Sequence, residues 1–223
     1  GAPHLLIGGA TEMGKSVAIN TIIKGCMRFY SQDELRIHLV DPKMVELVDY
    51  ANVPHVGGSY FTESVDALNL FEGTLDEITH RNTTFTSKGP PTPRDIGNFN
   101  VNYPQEKIPR WLIIIDEYAD LMDGSDRETK NEMERCIRRI CRIGRSAGVH
   151  LILSTQKVSA TVVPTEIRDN FQARLSLKVA DANASRIILD SPGAETLMPR
   201  GDAIFKDGSG VKKRIQIAKA EDY

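Results

Sequence analysis

The sequence has only three cysteines, Cys26, Cys136 and Cys141, and no C-x-x-C pair among them. That excludes a disulfide framework and gives no sign of a zinc site, and an odd trio of thiols suits a reducing cytosol. Uninterrupted apolar runs are only a few residues long, Trp111 to Ile115 being one, so no stretch here reads as a membrane span or a secretion signal. Neither sign of charge dominates. With 28 Lys and Arg against 30 Asp and Glu, the net charge of -2 excludes a surface that is basic all over. Contact with nucleic acid must then come from a local patch, or from several copies of a small patch brought together. The chain shows no internal repeat and no linker that divides it, so residues 1–223 are expected to form a single domain with a substantial core. Gly1-Ala2 reads like a cloning scar directly before the first core strand, and a fragment of a longer protein is expected.

What is present centres on Gly9-Ala10-Thr11-Glu12-Met13-Gly14-Lys15-Ser16. It fits G-x-x-x-x-G-K-[ST], with the apolar Leu5-Leu6-Ile7 in front and Val17, Ile19, Ile22 and Ile23 at helical spacing behind. Backbone N–H groups of such a loop and the positive end of the following helix point at an anion, so Gly9 to Val17 are expected to cradle a nucleoside triphosphate. Lys15 would pair with the β- and γ-phosphates, and the Ser16 hydroxyl would join the shell of a Mg²⁺ ion. Glu12 stands where a small residue would let the loop curl most tightly, and a carboxylate there must turn to solvent or be repelled by the phosphates.

A second informative stretch is Trp111-Leu112-Ile113-Ile114-Ile115-Asp116-Glu117. Its continuous apolar run predicts a strand buried on both faces of a parallel sheet, ending in two carboxylates. Alone, the pair reads equally well as the start of a loop. Downstream of a phosphate loop, Asp116 would hold Mg²⁺ through its water shell and Glu117 would orient and deprotonate an attacking water. Val149 to Ser154 predicts another buried strand, and Gln156 beyond it offers an amide to a γ-phosphate or to that water.

The remaining periodicity predicts helices over Lys15 to Tyr30, Ser64 to His80, Arg127 to Ser146 and Ser185 to Leu189. Strands are predicted at Arg36 to Val40 and Ala173 to Val179, and a closing hairpin around Asp207-Gly208-Ser209-Gly210. Asp41 and Lys43, after the second strand, either face the ligand crevice or simply end the strand. Thr83 to Tyr103, crowded with Thr, Ser, Gly, Pro and Asn, reads as a long loop anchored by Phe85 and Phe99. Arg135, Arg138, Arg139, Arg142 and Arg145 line one side of the 127–146 helix, either as a solvated face or as an intersubunit contact.

Taken in order, the phosphate loop, Asp41-Pro42-Lys43-Met44-Val45-Glu46-Leu47, Asp116-Glu117-Tyr118-Ala119-Asp120-Leu121-Met122, Gly144-Arg145-Ser146-Ala147-Gly148 and Ser154-Thr155-Gln156 resemble the motor domain of FtsK/SpoIIIE-type DNA translocases. Ser185 to Asp190, Gly193 to Leu197 and Arg200 to Ala203 resemble that family's closing motifs, so the likeness covers nearly the whole chain. The resemblance implies an α/β, RecA-like P-loop NTPase with a mainly parallel sheet, helices on both faces and a C-terminal β-hairpin. It implies a homo-hexameric ring that hydrolyses ATP with Mg²⁺ between subunits and threads double-stranded DNA, in the cytoplasm or anchored to a membrane through parts absent from this sequence. By it, Gly14, Lys15, Ser16, Asp116, Glu117 and Gln156 are nucleotide-site residues, Arg145 is an arginine finger for the neighbour, and Lys157 and Arg186 are pore contacts with DNA. Two places depart from the pattern: Glu12-Met13 replaces a small pair, and Lys157-Val158 replaces arginine-proline, which keeps the charge and loses bidentate geometry. Two alternatives stay open. One is a conjugation or secretion ATPase moving single-stranded DNA or protein, and the other a nucleotide-dependent assembly module that hardly turns over.

Overall fold

The apolar runs become the centre of one sheet. In the computed structural model, which describes residues 2–220, eight strands stand in the order β3-β2-β4-β5-β1-β6-β7-β8. They are β1 (Leu5–Gly8), β2 (Leu35–Val40), β3 (Tyr60–Phe61), β4 (Arg110–Ile115), β5 (Val149–Thr155), β6 (Ala173–Leu177), β7 (Asp202–Lys206) and β8 (Lys212–Gln216). The first six pair in parallel, while β7 and β8 close the sheet as an antiparallel hairpin. Gly1 of the expected scar and residues 221–223 lie outside the described residues.

Successive strand residues face opposite sides, and both sides are covered by helices. These are α1 (Lys15–Phe29), α2 (Ser64–Ser87), α3 (Ile96–Asn102), α4 (Tyr118–Asp123), α5 (Arg127–Ala147), α6 (Thr165–Arg168) and α7 (Ala182–Leu189). Ile113, Ile115, Leu151 and Leu153 pack with Phe71 and Ile78 of α2, Ile137 and Ile140 of α5 and Ile188 of α7. Leu112, Ile114 and Ile152 pack on the other face with Ile19 and Ile23 of α1. Burying each such side chain contributes roughly 1.5–3 kcal/mol, which sets the strand register firmly because a one-residue slip would exchange the two faces. Among the described residues no helix is long and apolar enough to cross a membrane.

The expected loop from Thr83 to Tyr103 is corrected by the structure. Helix α2 runs on to Ser87, and α3 occupies Ile96–Asn102 with the Asp95 carboxylate accepting from the Asn98 N–H. The threonines that spoil the sequence pattern turn their hydroxyls back into the helix, Thr83 to the carbonyl of Thr79 and Thr84 to that of His80. Phe85 and Phe99 do anchor the segment, their rings 5.1 Å apart in a small separate core. In β6 all five residues are buried, and Arg174 is held by the carbonyls of Arg168, Phe171 and Ile188 and by Asp190.

Candidate nucleotide-binding site

In a parallel sheet every strand ends at the same edge, and here those ends carry the polar residues read from the sequence. The loop 9–14 joins β1 to α1. Gly14 adopts φ 104°, a left-handed geometry that a side chain resists, and a Cβ there would sit 3.0 Å from the backbone nitrogen of Gly201. Glu12 is also left-handed, at φ 64°. Its carboxylate is exposed, so it turns to solvent.

Helix α1 begins without a side-chain cap and without an acid in its first turn. Helix α2 also lacks a side-chain cap but carries Asp66 in its first turn, whereas Asp126 caps α5 and Asp181 caps α7. The N–H groups of Lys15, Ser16 and Val17 have no intrahelical acceptor, as at any helix start. The open, positive end of α1 is thus matched to an anion supplied from outside.

Lys15 is 3% exposed, and its ammonium donates to Asp116 Oδ1 at 2.8 Å, to the Asp116 carbonyl at 2.8 Å and to Ser154 Oγ at 3.2 Å. The Ser154 hydroxyl also donates to the Asp116 carbonyl. Beside it, Glu117 is buried yet fully engaged. Its Oε1 accepts from Thr155 Oγ1 at 2.7 Å and its Oε2 from the Gln156 N–H at 2.9 Å, so the end of β5 fixes its direction. The Gln156 amide oxygen accepts from Thr11 Oγ1 at 2.9 Å, tying the loop to β5. The structure therefore brings together Lys15, Asp116, Glu117 and Gln156, with Ser16 one residue along in the first turn of α1.

Charge continues outward from this cluster. Lys43 Nζ lies 4.0 Å from Glu117 Oε2 and 3.0 Å from Asp120 Oδ2, and Lys157 Nζ lies 3.4 Å from Asp120 Oδ1 and 2.8 Å from Asp123 Oδ2. Burial tends to lower the Lys43 pKa, but Asp120, Glu117 and Asp116 outweigh it and the group ends raised. Asp120 is a site residue that sequence reasoning missed. The signal was its spacing of three from Glu117, one turn along α4.

Three expected site residues do not join the cluster. Arg145 lies in the last turn of α5, before β5, whereas Gln156 follows β5. A seven-residue strand separates them, roughly 20 Å at about 3.3 Å per residue. There Arg145 lines an open cavity of about 910 Å³ with Arg94, Arg110, Arg142, Asp95 and His150. On the same helix Arg135 pairs with Glu132 and Arg138 with Glu134, so part of the arginine stripe is an ordinary solvated face. Lys157 is neutralised by Asp120 and Asp123, and Arg186 is exposed on α7.

No group of three or more His, Cys, Asp or Glu that could hold a metal occurs among the described residues. A divalent ion here would take most of its oxygens from phosphates and water, which fits Mg²⁺, beside one carboxylate and one hydroxyl.

Comparison with known proteins finds relatives over nearly the whole chain. A DNA translocase FtsK of Caldanaerobacter subterraneus subsp. tengcongensis is 38% identical over 218 residues, covering 98% of this chain and 30% of that protein. The DNA translocase SftA of Bacillus subtilis is 37% identical, with 96% of this chain and 22% of that protein covered. The chain thus spans less than a third of these curated relatives. The monomer form of the pCW3 conjugation coupling protein TcpA with ATPγS superimposes with a TM-score of 0.84 at 30% identity, over 98% of this chain and 60% of that one. Residues 1–160 match the model of the FtsK/SpoIIIE family, and with that match and these identities the chain belongs to the FtsK/SpoIIIE family.

Proposed function

We propose that residues 1–223 are one motor domain of a longer protein, which hydrolyses ATP at the subunit interfaces of a homo-hexameric ring and so moves double-stranded DNA. The observation that carries this reading is the convergence of Lys15, Asp116, Glu117 and Gln156 on the open end of α1. The N–H groups of the loop bind the phosphates, and Lys15 leaves Asp116 to pair with the β- and γ-oxygens. Ser16 and Asp116 would hold Mg²⁺, and the ion when bound would supply positive charge against that developing on the phosphoryl oxygens. Glu117, aimed by Thr155 and the Gln156 N–H, takes the proton of the attacking water, and the Gln156 side chain orients that water.

Arg145 stands at the opposite edge of the sheet and serves the neighbour's site, where a finger of this kind contributes ~10³–10⁵ in rate. That division of labour makes turnover depend on assembly. Lys157 and Arg186 grip DNA phosphates without reading bases, which requires Lys157 to exchange Asp120 and Asp123 for the backbone. The relatives named DNA translocase support DNA as the cargo.

ATP hydrolysis by the purified chain, measured with and without duplex DNA, tests the reading. Stimulation by duplex that is lost on Glu117→Ala and on Arg145→Ala is expected. Hydrolysis indifferent to DNA would refute it. The similarity to a conjugation coupling protein favours a second reading, a motor that moves DNA during transfer between cells. Stimulation by single-stranded rather than duplex DNA would select it.

A further inference from the structure

The crevice contains a second ammonium that the phosphate loop does not supply. Val40 and Ile115 are paired, so the carboxyl ends of β2 and β4 are level and the turn after β2 sits beside Glu117. That turn is firmly built. The buried Asp41 carboxylate accepts from the N–H groups of Met44 and Leu47 and from the Tyr60 hydroxyl, each at 3.1 Å, and Met44 is held at φ 55°. Its backbone order leaves the side chain of Lys43 directed at the acids, 3.0 Å from Asp120 and 4.0 Å from Glu117 Oε2. Lys15 lies 3.9 Å from the same Oε2, so the Glu117 carboxylate stands between two ammonium groups. Lys15 is buried, whereas Lys43 is 39% exposed.

We propose that Lys43 binds the terminal phosphate in cis and makes the site prefer a nucleoside triphosphate to a diphosphate. This rests on the reading of the crevice as a triphosphate site. A nucleotide whose inner phosphates lie on the open end of α1 places its terminal phosphate next to Glu117, whose carboxylate Lys43 already approaches to 4.0 Å. Asp120 parks the ammonium when no nucleotide is bound. A terminal phosphate, with more charge and more oxygens than one carboxylate, draws it across. A diphosphate does not reach that far, so Lys43 stays on Asp120.

Isothermal titration of the chain with Mg–ATPγS and with Mg–ADP tests this. Lys43→Met is expected to weaken Mg–ATPγS by roughly tenfold or more, the worth of one charge-assisted contact, and Mg–ADP by less than about twofold. Lys43→Arg keeps the preference for triphosphate. Asp120→Asn, which removes the competing partner, strengthens Mg–ATPγS and leaves Mg–ADP unchanged. Equal weakening of both nucleotides by Lys43→Met, or weakening of neither, would overturn the inference, because a lysine that only screens neighbouring acids does not tell the two apart. A wild-type chain that binds neither nucleotide overturns the nucleotide reading itself, and this inference with it.

Discussion

Replacing Lys15 by methionine should cost folding stability as well as nucleotide binding. The ammonium is 3% exposed and Asp116 is 1% exposed, with 2.8 Å between Nζ and Oδ1. Two unit charges at that distance attract by about 6 kcal/mol at an effective dielectric constant of 20. Desolvation of both groups offsets much of this, but removing one partner leaves a buried carboxylate without compensation, at a cost of roughly 3–5 kcal/mol. For a chain of this length that is a fall of roughly 6–20 °C in Tm. Adding Asp116→Asn removes the stranded charge, so the double variant should recover more than half of the loss. Urea unfolding of wild type, Lys15→Met, Asp116→Asn and the double variant, all without nucleotide, measures the coupling. The reasoning is refuted if Lys15→Met costs less than about 1 kcal/mol, or if the two substitutions simply add.

Arg145→Ala should leave Mg–ATPγS binding by the isolated chain within about twofold, since Arg145 lies at the far edge of the sheet, and should lower DNA-stimulated turnover by ~10³ or more; titration and steady-state hydrolysis separate the two. Glu12→Gly removes an exposed carboxylate and a left-handed non-glycine residue, and a two- to fivefold gain in Mg–ATPγS affinity is expected by titration, at roughly the strength of a screened surface charge. Acid should destabilise the fold through His4 and His38, whose burial lowers both to about 4 from 6.5. Because the folded values lie below the unfolded ones, this stability is complete above pH 6.5 and is lost as pH falls towards 4, up to about 3 kcal/mol for each histidine. Urea unfolding at pH 7.5 and 4.5 checks it, and His38→Phe, which keeps a ring against Trp111, should reduce the difference by about half.

The strands at the middle of the sheet were legible because burial on both faces demands continuous apolar runs, as in Leu112 to Ile115. The phosphate loop and Asp116-Glu117 were legible because contiguous residues carry their chemistry. The 83–103 region was not. Its helical order depends on Phe85 meeting Phe99 and on the Asp95 cap, contacts that local propensity does not encode. The Lys43–Asp120–Lys157 chain was hidden for another reason: its members follow β2, β4 and β5, which become neighbours only through the strand order. Arg145, expected to serve a neighbour, precedes β5 and Gln156 follows it, so the strand sets the two at opposite edges of the sheet.

On the proposed function, the open end of α1 and the carboxylates after β4 share one magnesium-bound triphosphate. A crystal structure of this chain with Mg–ATPγS tests it most directly. The expected result places the γ-phosphate within hydrogen-bonding distance of Lys15 Nζ, with Asp116 turned to water on the metal and Glu117 facing the γ-phosphorus. A nucleotide bound elsewhere, or a crevice in which Lys15 stays on Asp116 at saturating Mg–ATPγS, would contradict it.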